Sequence, residues 1–339
     1  MNLMMRSLPK QMWEQAKPFL KYPTSLLNKE LHKPWKQPRN NKVVFIMGAT
    51  GTGKSRLSID LATIFQAEII NSDKIQIYKG LDILTNKVTK EEQCGIPHHL
   101  LSIVNPNVDY TTKDFCLMAT HGVESILQKE KLPIIVGGSN SYIESLVMDP
   151  KYGFKSKFDC CFLWVDVNFH VLKKFVAHRV DKMVQSGLVE EIREVFDPYN
   201  SDYTRGIRQA IGVAELDNYF RNEKFLLDHS SRVNGLQNAI KEIKKNTCNL
   251  ANKQIQKIHC LRDLKGWDLN RIDATQILKD RNKDAADQAW QEMVVKPSLE
   301  VVTRFLSNTN DLEFDLSARS RVLTRTMIRN GCTFIPIAT

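Results

Sequence analysis

The chain has 339 residues, of which 42% are hydrophobic and 25% charged, the balance of an ordinary folded protein with a sizeable core. It contains no run of about 18 consecutive apolar residues, so no membrane-spanning helix is predicted. The net charge of +10 is uneven, because residues 1–41 hold six Lys and two Arg against two Glu, a local charge of +6. The other 298 residues carry a net charge of only +4, which does not indicate a basic nucleic-acid-binding surface.

The N-terminal arm, residues 1–41, contains five prolines and no sustained hydrophobic periodicity. Its many lysines and few acidic residues are typical of an organelle transit peptide and favour a plastid location. The arm is also poor in Ser, so a cytoplasmic extension is the alternative. The seven cysteines form no C-x-x-C pair, and neither a disulfide scaffold nor a zinc ribbon is predicted.

An α/β core is predicted over residues 42–170. Apolar runs typical of buried parallel strands recur there, at residues 43–47, 134–136 and 160–165, and a second short strand is predicted over residues 68–71. Between the first run and this short strand, residues 54–65 repeat their apolar side chains at helical spacing. This strand–loop–helix–strand order predicts a parallel sheet covered by helices.

Beyond the core the pattern is mainly helical. The sequence predicts a helical lid or insert that binds substrate over residues 171–240, and a helix over 241–275 that returns to the core. Residues 276–339 are polar and weakly patterned, and a helical tail is predicted for them.

The loop after the first predicted strand carries a phosphate-binding motif. The pattern G-x-x-x-x-G-K-[ST] is matched by Gly48, Ala49, Thr50, Gly51, Thr52, Gly53, Lys54 and Ser55. The glycines allow backbone N–H groups to point at phosphate oxygens, and the following helix adds partial positive charge. Lys54 supplies a full charge, and the Ser55 hydroxyl can hold Mg²⁺, the predicted cofactor. The motif in this context predicts a P-loop NTPase-like fold.

The motif does not identify the phosphorylated ligand. A small-molecule kinase or NTPase is the default expectation, and the strand ending at Asp166 suits a Walker B strand. Asp73 follows the second predicted strand and therefore lies at the same sheet edge as the loop. It can take a proton from a substrate beside the phosphates, or it can cap the next helix. Position alone leaves both roles open.

Further blocks extend over most of the chain in a fixed order. They are NSDKIQIYKGLDI at 71–83, TNK at 85–87, PHHLL at 97–101, VGGSNSY at 136–142, RVDKM at 179–183, GIRQAIG at 206–212 and KKNT at 244–247. Together with residues 48–55 they resemble the isopentenyltransferases that prenylate adenine. A kinase would leave most of these blocks unexplained.

The resemblance implies roles for individual residues. The P-loop would hold dimethylallyl diphosphate, the prenyl donor, and Asp73 would act as general base toward adenine N6. Thr50 would steady the reacting centre, and Arg179 and Arg208 would reach the diphosphate. Ser139 and Asn140 would shape the acceptor pocket, and Lys244 and Lys245 would either contact the nucleotide phosphates or lie on a solvated helix face.

The family divides by acceptor, and the blocks at 71–74 and 138–142 are similar to the branch that prenylates free adenine nucleotides. ATP or ADP is therefore the expected acceptor, with AMP left open, and tRNA is not expected as a partner. A tRNA dimethylallyltransferase is the alternative. Eukaryotic members of that branch usually carry a C-terminal zinc finger, for which this sequence lacks the cysteine pairs.

Overall fold

A computed structural model describes residues 41–223, 228–279 and 283–307. The predicted transit arm up to residue 40 and the distal part of the predicted tail lie outside these residues. Among the described helices, none combines the length and the apolar character needed to cross a membrane.

The core is a six-stranded sheet in which every neighbouring pair of strands is parallel. The strands are Lys42–Gly48 (β1), Ala67–Asn71 (β2), His98–His99 (β3), Leu132–Val136 (β4), Asp159–Asp166 (β5) and Leu269–Asp273 (β6). Their order across the sheet is β3-β2-β4-β1-β5-β6, which confirms the predicted parallel α/β core.

Helices account for most of the remaining described chain. They are Lys54–Phe65 (α1), Thr112–Gln128 (α2), Asn140–Met148 (α3), Phe154–Lys157 (α4), Phe169–Gln185 (α5), Leu188–Glu194 (α6), Val213–Asn222 (α7), His229–Asp263 (α8), Lys283–Trp290 (α9) and Lys296–Ser307 (α10). A 3₁₀ turn spans Gly206–Gln209, and a π-helical turn, Gln291–Val295, joins α9 to α10.

The central strand explains why the apolar runs are continuous. Val43, Phe45 and Met47 of β1 belong to one buried cluster with side chains of α2, α3 and α8. The intervening Val44 and Ile46 are equally inaccessible to solvent. Successive strand residues point to opposite faces, so both faces of β1 are covered and neither can be polar.

The last strand departs from the sequence prediction. A helix is predicted over residues 241–275, whereas in the structure α8 runs from His229 to Asp263 and Leu269–Asp273 forms β6 beside β5. Ile272 is the only fully buried residue of β6. An edge strand with a single buried position lacks the apolar run by which the inner strands are predicted.

The described part of the predicted tail packs against the core. Trp290, Val294, Leu299 and Val302 are among its buried side chains. Their spacing gives α10 and the π turn a pronounced apolar face, which the weak patterning of 276–339 as a whole obscures. Residues 283–307 therefore form an integral layer of the fold.

Trp290 connects this layer to the phosphate loop. Its indole N–H donates a 2.7 Å hydrogen bond to the buried carboxylate of Asp60 on α1, and the Arg56 guanidinium lies 4.7 Å from the ring centre. A Cβ atom added at Gly53 would lie 2.6 Å from the indole ring. The ring thus packs directly beneath the last glycine of the loop.

Candidate active site

The site lies at the carboxyl edge of the sheet, where ligands bind in open parallel α/β folds. The phosphate loop follows β1, Asp73 follows β2, and residues 137–140 follow β4. Since β4 lies between β2 and β1, the three loops are neighbours at one edge. Parallel pairing thus brings together segments that are about 20 to 90 residues apart in the sequence.

Two glycines of the loop have no space for a side chain. A Cβ atom at Gly48 would lie 2.6 Å from the carbonyl oxygen of Val165 on the neighbouring strand. Gly53 precedes α1 with φ of 90°, in the left-handed region that favours glycine, and Trp290 fills the space beside it. The loop can therefore curl tightly against the sheet and direct the N-terminus of α1 at a ligand.

Lys54 is buried beneath this loop, with 8% of its surface exposed. Its Nζ donates a 2.5 Å hydrogen bond to the carbonyl of Ala49, which also accepts 3.0 Å from the Thr52 hydroxyl. Burial lowers the pKa of the Lys54 amine to about 8, an effect that Asp73 partly opposes. The amine is a desolvated cation, and an anionic ligand would stabilise its charge.

Arg179, on α5, is the second cation of the site. Its Nη2 donates a 2.7 Å hydrogen bond to the Thr50 hydroxyl, and its buried Nε has no hydrogen-bond partner in the described part of the chain. Burial lowers its pKa to about 10, again opposed by Asp73. Lys54 and Arg179 also repel each other. Two desolvated cations facing one carboxylate leave a net positive charge for a substrate to neutralise.

Asp73 does not cap a helix, and its carboxylate lies near both cations. Its Oδ1 accepts a 2.9 Å hydrogen bond from the N–H of Ile75 and a longer one, 3.4 Å, from that of Gln76. These bonds close a turn rather than cap a helix, because residues 74–77 are not helical. The carboxylate also acts electrostatically on Lys54 and Arg179. It is therefore fixed in orientation and lies beside the cations.

Ser139 and Asn140 lie in the neighbouring loop and join it to other elements. The Ser139 hydroxyl accepts a 3.0 Å hydrogen bond from the N–H of Lys74, directly after Asp73. Asn140 is 2% exposed, and its amide donates 3.3 Å to the main-chain carbonyl of Gln254 on α8. Both residues thus hold the walls of the site together.

Three residues of the predicted site make their contacts elsewhere. Arg208 donates hydrogen bonds to the carbonyls of Asn200 and Asp202 and lies over the ring of Tyr203, all in its own loop. Lys244 forms a 2.5 Å ion pair with Asp181 of α5, and Lys245 pairs at the surface with Glu242, one turn away on α8. The described contacts do not join these cations to the phosphate loop.

One residue of the site was missed by the sequence analysis. The side chain of Gln254 accepts a 2.7 Å hydrogen bond from the N–H of Thr50 and donates one of 2.9 Å to the carbonyl of Gly138. It lies within the polar stretch Asn252–Lys257 of α8, where nothing distinguishes it from solvent-facing neighbours. Only the packing of α8 across the loops reveals it.

Asp166, the Walker B candidate, forms an ion pair with Arg271. Arg271 of β6 donates a 2.7 Å hydrogen bond from Nε to Asp166 Oδ2, and its Nη2 lies 3.2 Å from Asp273. Arg271 is thus shared between Asp166 and Asp273, and Asp166 has an ion-pair partner within the protein.

The sequence matches a known family and several curated relatives. A family model described as IPP transferase matches residues 76–156 and 148–259. "Adenylate isopentenyltransferase 3, chloroplastic" from Arabidopsis thaliana is 57% identical over 267 residues, which cover 78% of this chain and 79% of that protein. The chain belongs to the isopentenyltransferase family.

This isopentenyltransferase is also 50% identical over 275 residues to "Adenylate isopentenyltransferase 7, mitochondrial" from the same plant, and the match covers 81% of this chain and 83% of that protein. "Adenylate isopentenyltransferase" from Humulus lupulus is 43% identical, with 77% and 89% covered.

Solved structures show the same fold. A eukaryotic dimethylallyltransferase acting on tRNA superposes with a TM-score of 0.66 at 25% identity, covering 84% of each chain. The tRNA isopentenylpyrophosphate transferase from Bacillus halodurans gives a TM-score of 0.60, covering 78% of this isopentenyltransferase and 98% of that chain. At 23% identity the latter supports the fold alone.

Proposed function

We propose that this isopentenyltransferase transfers the dimethylallyl group of dimethylallyl diphosphate to N6 of the adenine of ATP or ADP, the first step of cytokinin biosynthesis. The observation that carries the donor half is the pair of cations at the P-loop, the buried Lys54 and Arg179 with its buried Nε, which bond to the loop residues Ala49 and Thr50 and have Asp73 as a nearby carboxylate. A diphosphate supplies the negative charge that this arrangement lacks.

Departure of the diphosphate is the first demand of the reaction. Negative charge collects on the leaving group as its bond to the allylic carbon breaks. Lys54, loop N–H groups and Arg179 are proposed to stabilise this charge, because donors fixed by the fold before the reaction act most strongly on charge that develops in the transition state. Arg179 suits the task because a planar guanidinium can donate two parallel hydrogen bonds to one phosphate.

Loss of a proton from the amine is the second demand. Adenine N6 is a poor nucleophile, since its lone pair is delocalised into the ring, and bond formation must be accompanied by deprotonation. Asp73 is the proposed general base, a role that contributes about 10²–10⁴-fold. Thr50 is proposed to orient N6 or the bridging oxygen. Its Oγ accepts from Arg179, which leaves its own O–H to donate.

Mg²⁺ is proposed as the cofactor. Ser55 is exposed at the first turn of α1, and its hydroxyl oxygen is of the hard type that Mg²⁺ binds. Among the described residues, no group of three or more His, Cys, Asp or Glu could hold a metal ion. This fits an ion bound by Ser55, the substrate diphosphate and water. When bound, it would neutralise charge on the leaving group.

A free nucleotide is the proposed acceptor because the relatives at 43–57% identity are named for adenylate. A tRNA enzyme must neutralise many phosphates and present a flipped base, for which a basic, aromatic-lined surface is suited. Residues 42–339 carry a net charge of only +4. A mononucleotide needs a small pocket and a few cations, for which Lys244 and Lys245 are the candidates from sequence.

The acceptor can be tested by direct competition. We expect ATP and ADP to gain a C5H8 unit when incubated with dimethylallyl diphosphate and the protein, and unmodified tRNA to remain unchanged, as read by mass spectrometry. AMP belongs in the same panel to rank the three nucleotides. Both the full chain and a form without residues 1–41 should be used, so that the basic arm is controlled for. Prenylated tRNA beside inert nucleotides would move the protein to the other branch.

We also propose that the protein is located in plastids. Relatives at 57% and 55% identity are named chloroplastic and one at 50% mitochondrial, and residues 1–41 have the composition of a transit peptide. A fusion of this arm to a fluorescent protein is expected to accumulate in plastids of plant cells. Diffuse cytoplasmic fluorescence would contradict the proposal, and mitochondrial fluorescence would correct the organelle.

A further inference from the structure

The side chain of Gln254 joins the two loops on which the proposed reaction depends. Its Oε1 accepts from the N–H of Thr50 at 2.7 Å, and its Nε2 donates to the carbonyl of Gly138 at 2.9 Å. Thr50 belongs to the phosphate loop after β1, and Gly138 to the loop after the adjacent β4. One planar amide therefore sets the distance between the donor side and the acceptor side of the site.

The loop after β4 is shaped to receive this amide. A Cβ atom at Gly138 would lie 2.5 Å from Gln254 Nε2, so a side chain at this position would displace the amide. The main-chain carbonyl of Gln254 in turn accepts from the buried amide of Asn140 at 3.3 Å. A single residue of α8 thus holds this loop through both its side chain and its backbone.

Thr50 is held from two directions. Gln254 binds its N–H, and Arg179 donates to its hydroxyl at 2.7 Å. The N–H of Thr50 is therefore directed toward α8 instead of serving a phosphate oxygen. Its hydroxyl is fixed beside the cations, where the proposed transfer takes place. The backbone and the side chain of this threonine depend on different helices, α8 and α5.

We propose that Gln254 is a positioning residue that aligns the prenyl donor with the acceptor amine. The inference rests on the proposed function, since it assigns the two loops to the two substrates. Gln254 acts through its hydrogen bonds to Thr50 and Gly138, without itself touching the reacting atoms. Misalignment by about 1 Å can cost about 10²-fold in rate. Loss of the two Gln254 hydrogen bonds should therefore lower kcat measurably.

The test compares Gln254→Met, which keeps the length but removes both hydrogen bonds, with Gln254→Glu, which keeps the acceptor for Thr50 but loses the donor to Gly138. Gln256→Met is the matched control, because Gln256 is exposed two residues away on the same helix. Each protein is assayed with dimethylallyl diphosphate, Mg²⁺ and ATP, and both prenylated nucleotide and free dimethylallyl alcohol are measured.

We expect Gln254→Met to lower kcat by about 10- to 100-fold with KM for the donor changed by less than about threefold. Water is expected to capture more of the activated donor, giving dimethylallyl alcohol and diphosphate, so the ratio of alcohol to prenylated nucleotide rises. A purely structural defect reduces the amount of active enzyme and leaves this ratio unchanged. Gln254→Glu should raise the ratio as well, which keeps the test decisive if Gln254→Met does not fold.

Two results would overturn the proposal. One is wild-type kcat and product ratio in a folded Gln254 variant. The other is a raised donor KM with unchanged kcat, which would make Gln254 part of donor binding. If wild type and Gln256→Met form no prenylated nucleotide, the proposed function fails first and this inference fails with it.

Discussion

Replacing Lys54 by Ala is expected to abolish most of the turnover while leaving the protein folded. The lost interaction is a charge-assisted contact to phosphate, worth at least about 1.5–3 kcal/mol and more in a site closed to water. This corresponds to a loss of at least about 10- to 150-fold in kcat/KM. Steady-state kinetics with dimethylallyl diphosphate and ATP measure the effect.

Stability should not suffer in this variant. Burial lowers the pKa of Lys54 to about 8, below its ordinary value of 10.5, so the charged amine is less stable in the folded protein than in the unfolded chain. Its removal is therefore expected to leave the melting temperature unchanged or to raise it. Lys113→Ala, at an exposed position, is the control. Near-normal kcat/KM in folded Lys54→Ala would refute the assignment of the phosphate loop.

Asp73→Asn is expected to slow the chemical step by about 10²-fold or more, with binding of both substrates preserved. The asparagine carbonyl can still accept from the N–H of Ile75, so the turn after β2 is kept, but the amide cannot take a proton from N6. Single-turnover kinetics isolate this step from product release.

The control for this substitution is Asp82→Asn, which removes an exposed carboxylate paired with Lys87 outside the site. Wild-type turnover with unchanged KM in Asp73→Asn would reduce Asp73 to a turn-forming residue. A large rise in KM without a change in the chemical step would instead indicate a binding role.

The parts of the structure that could be predicted from the sequence are local. The apolar runs of β1 and β4 are predictable because these strands are covered on both faces, and the phosphate loop is a contiguous motif between a strand and a helix. Asp73 could be placed at the same edge from one rule, that parallel strands end together. These inferences need no knowledge of distant packing.

The remainder depends on contacts between distant parts of the chain. Gln254 is 204 residues from Thr50, and Trp290 is 230 residues from Asp60. Neither residue belongs to a pattern that differs from its surroundings. Conversely, Lys244 suggests a phosphate ligand by type alone, and only the structure shows its ion pair with Asp181. Side-chain identity cannot specify which of several neighbours a long cation will meet.

The indole of Trp290, which packs beneath Gly53, makes the phosphate loop depend on a residue that lies outside the family model. The family model ends at residue 259, yet the floor of the phosphate loop is supplied 31 residues later. A side chain at position 53 would meet this ring and would also strain a backbone with φ of 90°, so the glycine is constrained both by its own conformation and by Trp290. A chain that ended where the family model ends, at residue 259, would keep residues 48–55 and lose the indole against which their last glycine packs.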